Sequence, residues 1–244
     1  ARTIYLQASC LIGKGTPNLF LNYICTNHSR PMFYVSATQL PFDQLFPTFE
    51  GELYFDNSIQ HQAIRKLYAT DASVYQEMPT AVALPRTVQD IQKLIHFATE
   101  HDITLIPRAA GTSLAGRVVG NGIVVDISKY FDKVLEINAQ ERWVRVQPGV
   151  IRDDINFILK PYGLMFGPET STANRAMIGG MIGNNSCGLH SISWGTTRDH
   201  LLEVKALLSD ESEVSFSSQS TVHSSQWAVG SLQSKIFHQL SEIL

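Results

Sequence analysis

The opening of this 244-residue chain lacks acidic side chains: no Asp or Glu precedes Asp43, and no Met precedes Met32. The same stretch has no sustained apolar period and no signal-peptide layout. Residues 1–45 are therefore read as an N-terminal extension, one that either precedes the native start or folds poorly. Cysteine is scarce: Cys10, Cys25 and Cys187 form no CxxC pair and leave an odd count. That excludes a disulfide framework and fits free thiols in a reducing compartment, so a cytoplasmic location is expected. No run of eighteen apolar residues exists, which leaves no transmembrane segment to be read from the sequence. The formal net charge of -3 comes with no basic stripe, so nucleic acid is not an expected partner. No spacing among the eight histidines suits a metal site, and none is expected. Internal repeats are also absent.

The rest is ordinary globular composition, 44% apolar and 17% charged. From Ala81 the pattern becomes regular. Ala81–Leu84 reads as a short strand, and Thr87 with Asp90 as a capping box with Asp in place of Glu or Gln. Val88, Ile91, Leu94, Ile95 and Ala98 share one helical face as far as about His101. Ile103–Ile106 and Gly122–Asp126 are the next strands; the first two strands with their helix predict a right-handed βαβ unit with a parallel pair. Lys133–Ile137 and Trp143–Gln147 predict a hairpin, and Ile151, Ile155, Ile158 and Leu159 a second amphipathic helix. Residues 165–200 are rich in Gly, Ser, Thr and Asn, and Glu203–Leu208 returns to strand. The serine-rich stretch from Ser209 to Ser234 reads as loop, with Glu213–Phe216 able to form one short strand. Leu232, Ile236, Phe237, Leu240 and Ile243 repeat at helical spacing up to Leu244, which reads as a fragment cut inside a helix. Phe42, Phe46 and Phe49 are expected to pack.

Two segments carry chemistry: Pro107-Arg-Ala-Ala-Gly-Thr-Ser-Leu-Ala-Gly116 and Ala176-Met-Ile-Gly-Gly-Met-Ile-Gly-Asn-Asn-Ser-Cys-Gly188. Each offers closely spaced backbone N–H groups with few side chains in the way, which is what a diphosphate needs. In the first, the amides of Ala109 to Leu114 and the hydroxyls of Thr112 and Ser113 are the useful groups. Arg108 could stabilise anionic oxygen or pair with a carboxylate. The competing reading is a tight turn in which Gly111 and Gly116 supply unusual dihedrals. In the second, Gly179, Gly180 and Gly183 allow close approach of a ligand, and Asn184 and Asn185 could read polar edges. The competing reading is small-residue packing of a helix. Cys187 is read as a buried structural thiol, since no flanking Lys or Arg would lower its pKa. His190 is read as solvated, catalysis being the alternative.

Taken in order, several segments resemble the FAD-binding domain of the vanillyl-alcohol oxidase and p-cresol methylhydroxylase (PCMH) superfamily, over about residues 68–210. They are Tyr68-Ala-Thr-Asp71-Ala-Ser-Val-Tyr75, Ala83-Leu-Pro-Arg-Thr-Val-Gln-Asp-Ile91, the first loop, Gly122-Ile-Val-Val-Asp126 and Val144-Arg-Val-Gln-Pro-Gly-Val150. Gly167-Pro-Glu-Thr-Ser follows, then the second loop and Trp194-Gly-Thr-Thr-Arg-Asp199-His. The likeness is greatest to the FAD-linked D-lactate and D-2-hydroxyglutarate dehydrogenase branch. It implies an α+β fold of two lobes with FAD between them, the first lobe spanning about residues 50–127 with the βαβ unit. The second would begin near residue 130 and be incomplete, the whole domain covering residues 46–244. Arg108, Ala109, Ala110, Gly111, Thr112 and Ser113 would wrap the FAD diphosphate through backbone amides. Pro168 would lie near the flavin. Ile178, Gly179 and Gly180 would make the second diphosphate contact, with Asn184 and Gly188 at the isoalloxazine end. Gly195 and Asp199 would sit in the following cofactor loop.

Two departures from the family pattern shape the expectations. The family usually has three glycines after the arginine, where this chain has Ala109, Ala110 and Gly111; a positive φ at either alanine would cost roughly 1–2 kcal/mol. Thr112 stands where covalent members carry a flavin-linked histidine, so dissociable FAD is expected, provided no other residue forms the link. The second departure is extent: the segment completing the flavin site, the substrate-capping domain and, in the long branch, an iron–sulfur region would follow the residues present. The catalytic residues of this branch lie there, and none is assigned here. The implied activity is oxidation of a D-2-hydroxyacid by hydride transfer to FAD, with reoxidation by a separate electron acceptor. The intact enzyme would be cytoplasmic, with peripheral association with the inner membrane as the alternative. The alternatives are a flavin oxidase or reductase for another alcohol, and a non-catalytic remnant.

Overall fold

A computed structural model describes residues 40–217. The stretches before and after, including the spacing from Leu232 to Ile243, lie outside the described residues, as does the side chain of Phe46.

The elements run α1 (Phe42–Leu45), β1 (Glu52–Tyr54), α2 (Ile59–Leu67), β2 (Ala81–Leu84), α3 (Val88–Glu100), β3 (Leu105–Arg108) and β4 (Ile123–Asp126). Then come β5 (Val134–Asn138), β6 (Trp143–Val146), α4 (Arg152–Leu159), α5 (Ile178–Asn184), α6 (Ser191–Trp194), β7 (Glu203–Leu207) and β8 (Glu213–Ser217). Sheet and helix are mixed, as the α+β expectation requires.

The first sheet has the order β1-β2-β4-β3, with β1 antiparallel and the other three parallel. The predicted βαβ unit is therefore present, but its two strands are not neighbours: β4 lies between them. The reason is burial. Ile123, Val124 and Val125 are fully buried, and so continuous an apolar run belongs at a sheet centre covered on both faces. Alternate side chains cover the two faces of this sheet. Ala81, Ala83, Ile123 and Val125 pack with Ile91, Leu94 and Ile95 of α3, while Val82, Leu84, Ile106 and Val124 pack with Ile64 and Tyr68 on the other face.

The capping box forms as predicted: Thr87 Oγ1 accepts from the Asp90 amide at 3.2 Å. Buried Asp90 does more than cap, since its carboxylate also accepts from the amides of Glu50 and Arg86. The third strand begins two residues later than the pattern suggests. Ile103 is spent on the helix exit, its amide donating to Ala98 O at 3.0 Å after Asp102 turns at φ 51°. Phe42 and Phe49 pack as expected, Phe42 stacking on Phe97 at 5.1 Å. The packed body thus takes in α1, from residues read above as an extension.

The second core gathers Val144, Val146, Ile155, Leu159, Phe166, Ile178 and Met181 between the β5–β6 hairpin, α4 and α5. Strand β7 belongs to both cores: Leu207 is buried in the first and Val204 packs against the second. The short strand allowed at Glu213–Phe216 exists as β8, paired antiparallel with β7. No helix among the described residues is long and apolar enough to cross a membrane.

Candidate functional site

The first loop leaves β3 at Ala109, because Pro107 and Arg108 still pair with Val125 and Asp126 in β4. Gly111 takes φ +64° and Gly116 φ +67°, whereas Ala109 and Ala110 do not adopt positive φ. The left-handed positions fall on glycine, and the alanine pair carries no backbone penalty. From Ala109 to Leu114 no amide donates to another group of the chain, among the described residues. Consecutive amides left without acceptors in a half-buried loop are a standing offer to an anion.

Arg108 is held by main-chain carbonyls and an aromatic ring. Its Nη1 donates to the carbonyl oxygens of Thr70 at 2.8 Å and Tyr68 at 3.5 Å, and its guanidinium lies 5.1 Å from the centre of the Tyr68 ring. Its guanidinium has no carboxylate partner among the described residues. Of the loop hydroxyls, Ser113 Oγ accepts from the Ala115 amide at 3.2 Å. Thr112 stays half-buried in the loop.

The second segment is helical over Ile178–Asn184, as its competing reading allowed. Ile178, Met181 and Ile182 are buried and hold α5 to the second core, which outweighs the low helix propensity of its glycines. The Ile178 amide donates to Val150 O at 3.0 Å and that of Gly179 to Pro148 O at 2.8 Å. A Cβ on Gly179 would stand 2.6 Å from Pro148 Cβ. The amides of Ile178 and Gly179 are committed within the chain, and Gly179 packs closely on Pro148. Gly180 differs. Its amide has no acceptor among the described residues, and a Cβ there would meet Ala109 Cβ at 3.6 Å. The two loops are thus brought together at Ala109 and Gly180. A second tie, which the sequence reading missed, runs from Arg117 Nη1 to Asn184 Oδ1 at 2.5 Å.

The remaining expected residues cluster around the turns after α5. Pro168 is buried and its carbonyl accepts from Arg152 Nε at 3.0 Å. Gly188 leaves no room for a side chain, with Glu169 Cγ 2.5 Å from the place of its Cβ. Gly195 turns at φ +75°, and Asp199 Oδ2 accepts from the Thr196 amide at 2.7 Å and its hydroxyl at 2.9 Å. Those two bonds, the amide foremost, hold the Asp199 carboxyl below its ordinary pKa. Asn185 caps α5 at φ 46° and accepts from the Arg198 amide. Thr197, fully buried, donates its hydroxyl to Ser186 O. Neither role shows in the sequence pattern, because both depend on residues brought close by folding.

Two single-residue readings change. Cys187 is exposed, against the expectation of a buried thiol, because the segment after α5 runs along the surface. His190 is not simply solvated: its Nδ1 pairs with Glu169 Oε1 at 2.6 Å and its ring stacks on Trp194 at 4.7 Å. The bond from His190 is the main cause lowering the Glu169 pKa.

The site can be tested against the diphosphate-bearing group the sequence implies. It offers unspent donors at 109–114 and Gly180, and one unspent acceptor, since the buried Asp71 Oδ2 has no partner among the described residues. Asp71 precedes Ala72, whose amide donates to Gly111 O at 3.2 Å. Phosphate acceptors with hydroxyl donors, the combination found in FAD, match that set. No group of His, Cys, Asp and Glu able to hold a metal occurs among the described residues.

Comparison with known proteins agrees. The chain is 44% identical over 163 residues to D-2-hydroxyglutarate dehydrogenase of Haemophilus influenzae, covering 66% of this chain and 15% of that protein. It is 42% identical to the enzyme of the same name from Pseudomonas putida, again over 66% of this chain, and 16% of the relative. The chain therefore spans only about a sixth of these relatives. Among solved structures, a carbohydrate oxidase from Microdochium nivale superposes with a TM-score of 0.62 at 18% identity, over 73% of this chain and 37% of that one, a likeness of fold. Residues 79–217 match the FAD binding domain family, and with both expected loops inside that span the chain belongs to it.

Proposed function

We propose that this chain is the FAD-binding portion of a flavin-dependent oxidoreductase that oxidises a D-2-hydroxyacid of the 2-hydroxyglutarate or lactate type. The observation that carries the reading is the meeting of the unspent 109–114 amides with Gly180 at the start of α5. The names of the relatives, D-2-hydroxyglutarate dehydrogenases, support a substrate of the 2-hydroxyacid class.

In this reading Ala109, Ala110, Gly111, Thr112 and Ser113 bind the diphosphate through their amides, with Gly180 as the opposing donor. Fixed dipoles of this kind hold charge without needing to reorganise. Ile178 and Gly179 serve by seating α5 on Pro148 and Val150. Pro168, Asn184, Gly188, Gly195 and Asp199 shape the walls that receive the rest of the cofactor. Bound FAD would supply the acceptor for the hydride leaving the hydroxyl-bearing carbon. The chain's share is to orient that acceptor and exclude water from it. With Thr112 in place of a linking histidine, the cofactor is held non-covalently. A small 2-hydroxyacid and a separate electron acceptor complete the cycle in the intact, cytoplasmic protein.

The test is the visible spectrum of the purified 244-residue chain after addition of FAD and removal of unbound cofactor. A retained flavin spectrum, released into the supernatant on acid precipitation, supports both the site and its non-covalent character. A folded but colourless chain rejects the claim that these loops suffice.

A further inference from the structure

We infer that residues 68–77 form a strap that sets the 109–116 loop in its binding shape before any ligand arrives, with Arg108 as the positioning residue that joins the two. The inference rests on the reading of that loop as a diphosphate cradle.

The strap touches the loop at both of its left-handed glycines. At one end the Ala72 amide donates to Gly111 O at 3.2 Å, and Arg108 Nη2 lies 2.6 Å from where a Gly111 Cβ would be. At the other the Tyr75 ring lies 2.6 Å from the corresponding position on Gly116. Arg108 stands between them, donating to Thr70 O at 2.8 Å and lying over the Tyr68 ring. The strap is closed on itself by the Glu77 amide donating to Ala69 O at 2.9 Å and by the bridge between Thr70 and Gln76. It is rooted in the sheet by Tyr68, whose hydroxyl donates to Asp126 Oδ2 at 2.6 Å.

An arginine that reads phosphate directs its guanidinium fork at the anion. Here the guanidinium stacks on a ring and donates to main-chain carbonyls, and thereby fixes the peptide that presents the unspent amides. Its contribution to affinity is preorganisation: the loop arrives already shaped, so binding does not spend free energy on ordering it.

The experiment compares the 244-residue chain with Arg108→Lys, Arg108→Met and Tyr75→Ala. Backbone 15N order parameters of residues 109–116 are measured without cofactor, and FAD affinity by quenching of flavin fluorescence at low and high KCl. Both Arg108 variants are expected to lower the order parameters at 109–114 and weaken FAD by about tenfold, with the salt dependence of the parent chain. Tyr75 is half exposed, so its removal leaves the fold intact and loosens the Gly116 end alone. Unchanged order parameters in the Arg108 variants and in Tyr75→Ala would overturn the strap. So would an Arg108→Lys chain that keeps full affinity while Arg108→Met loses both affinity and salt dependence, because the charge would then be reading phosphate. If the parent chain binds no FAD, the proposed function fails, and the order parameters alone decide on the strap.

Discussion

Tyr68 donates its phenolic proton to Asp126 across 58 positions of sequence, at 2.6 Å, and thereby ties the end of α2 to the central strand of the sheet. Burial first, and then that bond, push the phenol above the ordinary tyrosine range. The folded state favours the protonated form, so the stability this group contributes is whole below its unfolded value of 10.0 and falls as pH rises beyond it. Tyr68→Phe should cost roughly 1–2 kcal/mol at neutral pH, by leaving a buried carboxylate oxygen short of a donor. Urea unfolding measures that cost. The same titration above pH 10 should show a shallower alkaline decline in the variant than in the parent chain.

Glu52 on β1 sits at the opposite electrostatic extreme. Hydrogen bonds from Lys129, then Tyr130 and Tyr54, bring its pKa from 4.5 to about 2. A depressed carboxylate stabilises the fold above its unfolded pKa, and that stability is lost as pH falls from 4.5 toward 2. Glu52→Gln should lower stability at pH 7 by about 1 kcal/mol, allowing for partial exposure to solvent. At pH 3 the difference from the parent should shrink, and denaturant midpoints at the two pH values test it.

What the sequence could convey is clearest where one local pattern carried the whole signal. The Thr87 to Asp90 capping box, the buried face of α3 and the β5–β6 hairpin all depend on spacing within a few residues, and all formed. The insertion of β4 between β2 and β3 was not legible, because strand order is decided by which apolar run needs cover on both faces. The family resemblance named the residues of both loops, yet only folding could sort them. Gly179 is there to touch Pro148, and Gly180 to face Ala109. Arg117 to Asn184 and Glu169 to His190 join distant segments, and no spacing rule anticipates such pairs.

Cys187 is the exposed thiol of the described segment. In the native chain it should react with a small thiol reagent without unfolding, and the modified residue should be found by peptide mapping at 187. Slow labelling that appears only in denaturant would show that this face is covered.

The alanine pair offers the sharpest comparison within the first loop. Gly111 has φ +64°, and a side chain there would both strain the backbone by roughly 1–2 kcal/mol and meet the Arg108 guanidinium. Ala110 has no positive φ, so a glycine in its place gains no conformational freedom that the folded loop requires. It adds freedom only to the unfolded chain, at a cost of roughly 0.4–1 kcal/mol. Gly111→Ala and Ala110→Gly should therefore both destabilise, the first more than the second, when compared by denaturant unfolding. If restoring the family's glycine at 110 instead raised stability, or tightened FAD without loss of stability, the backbone there would be under strain. The alanines would then be a defect in the cradle, and not an accommodated variation on it.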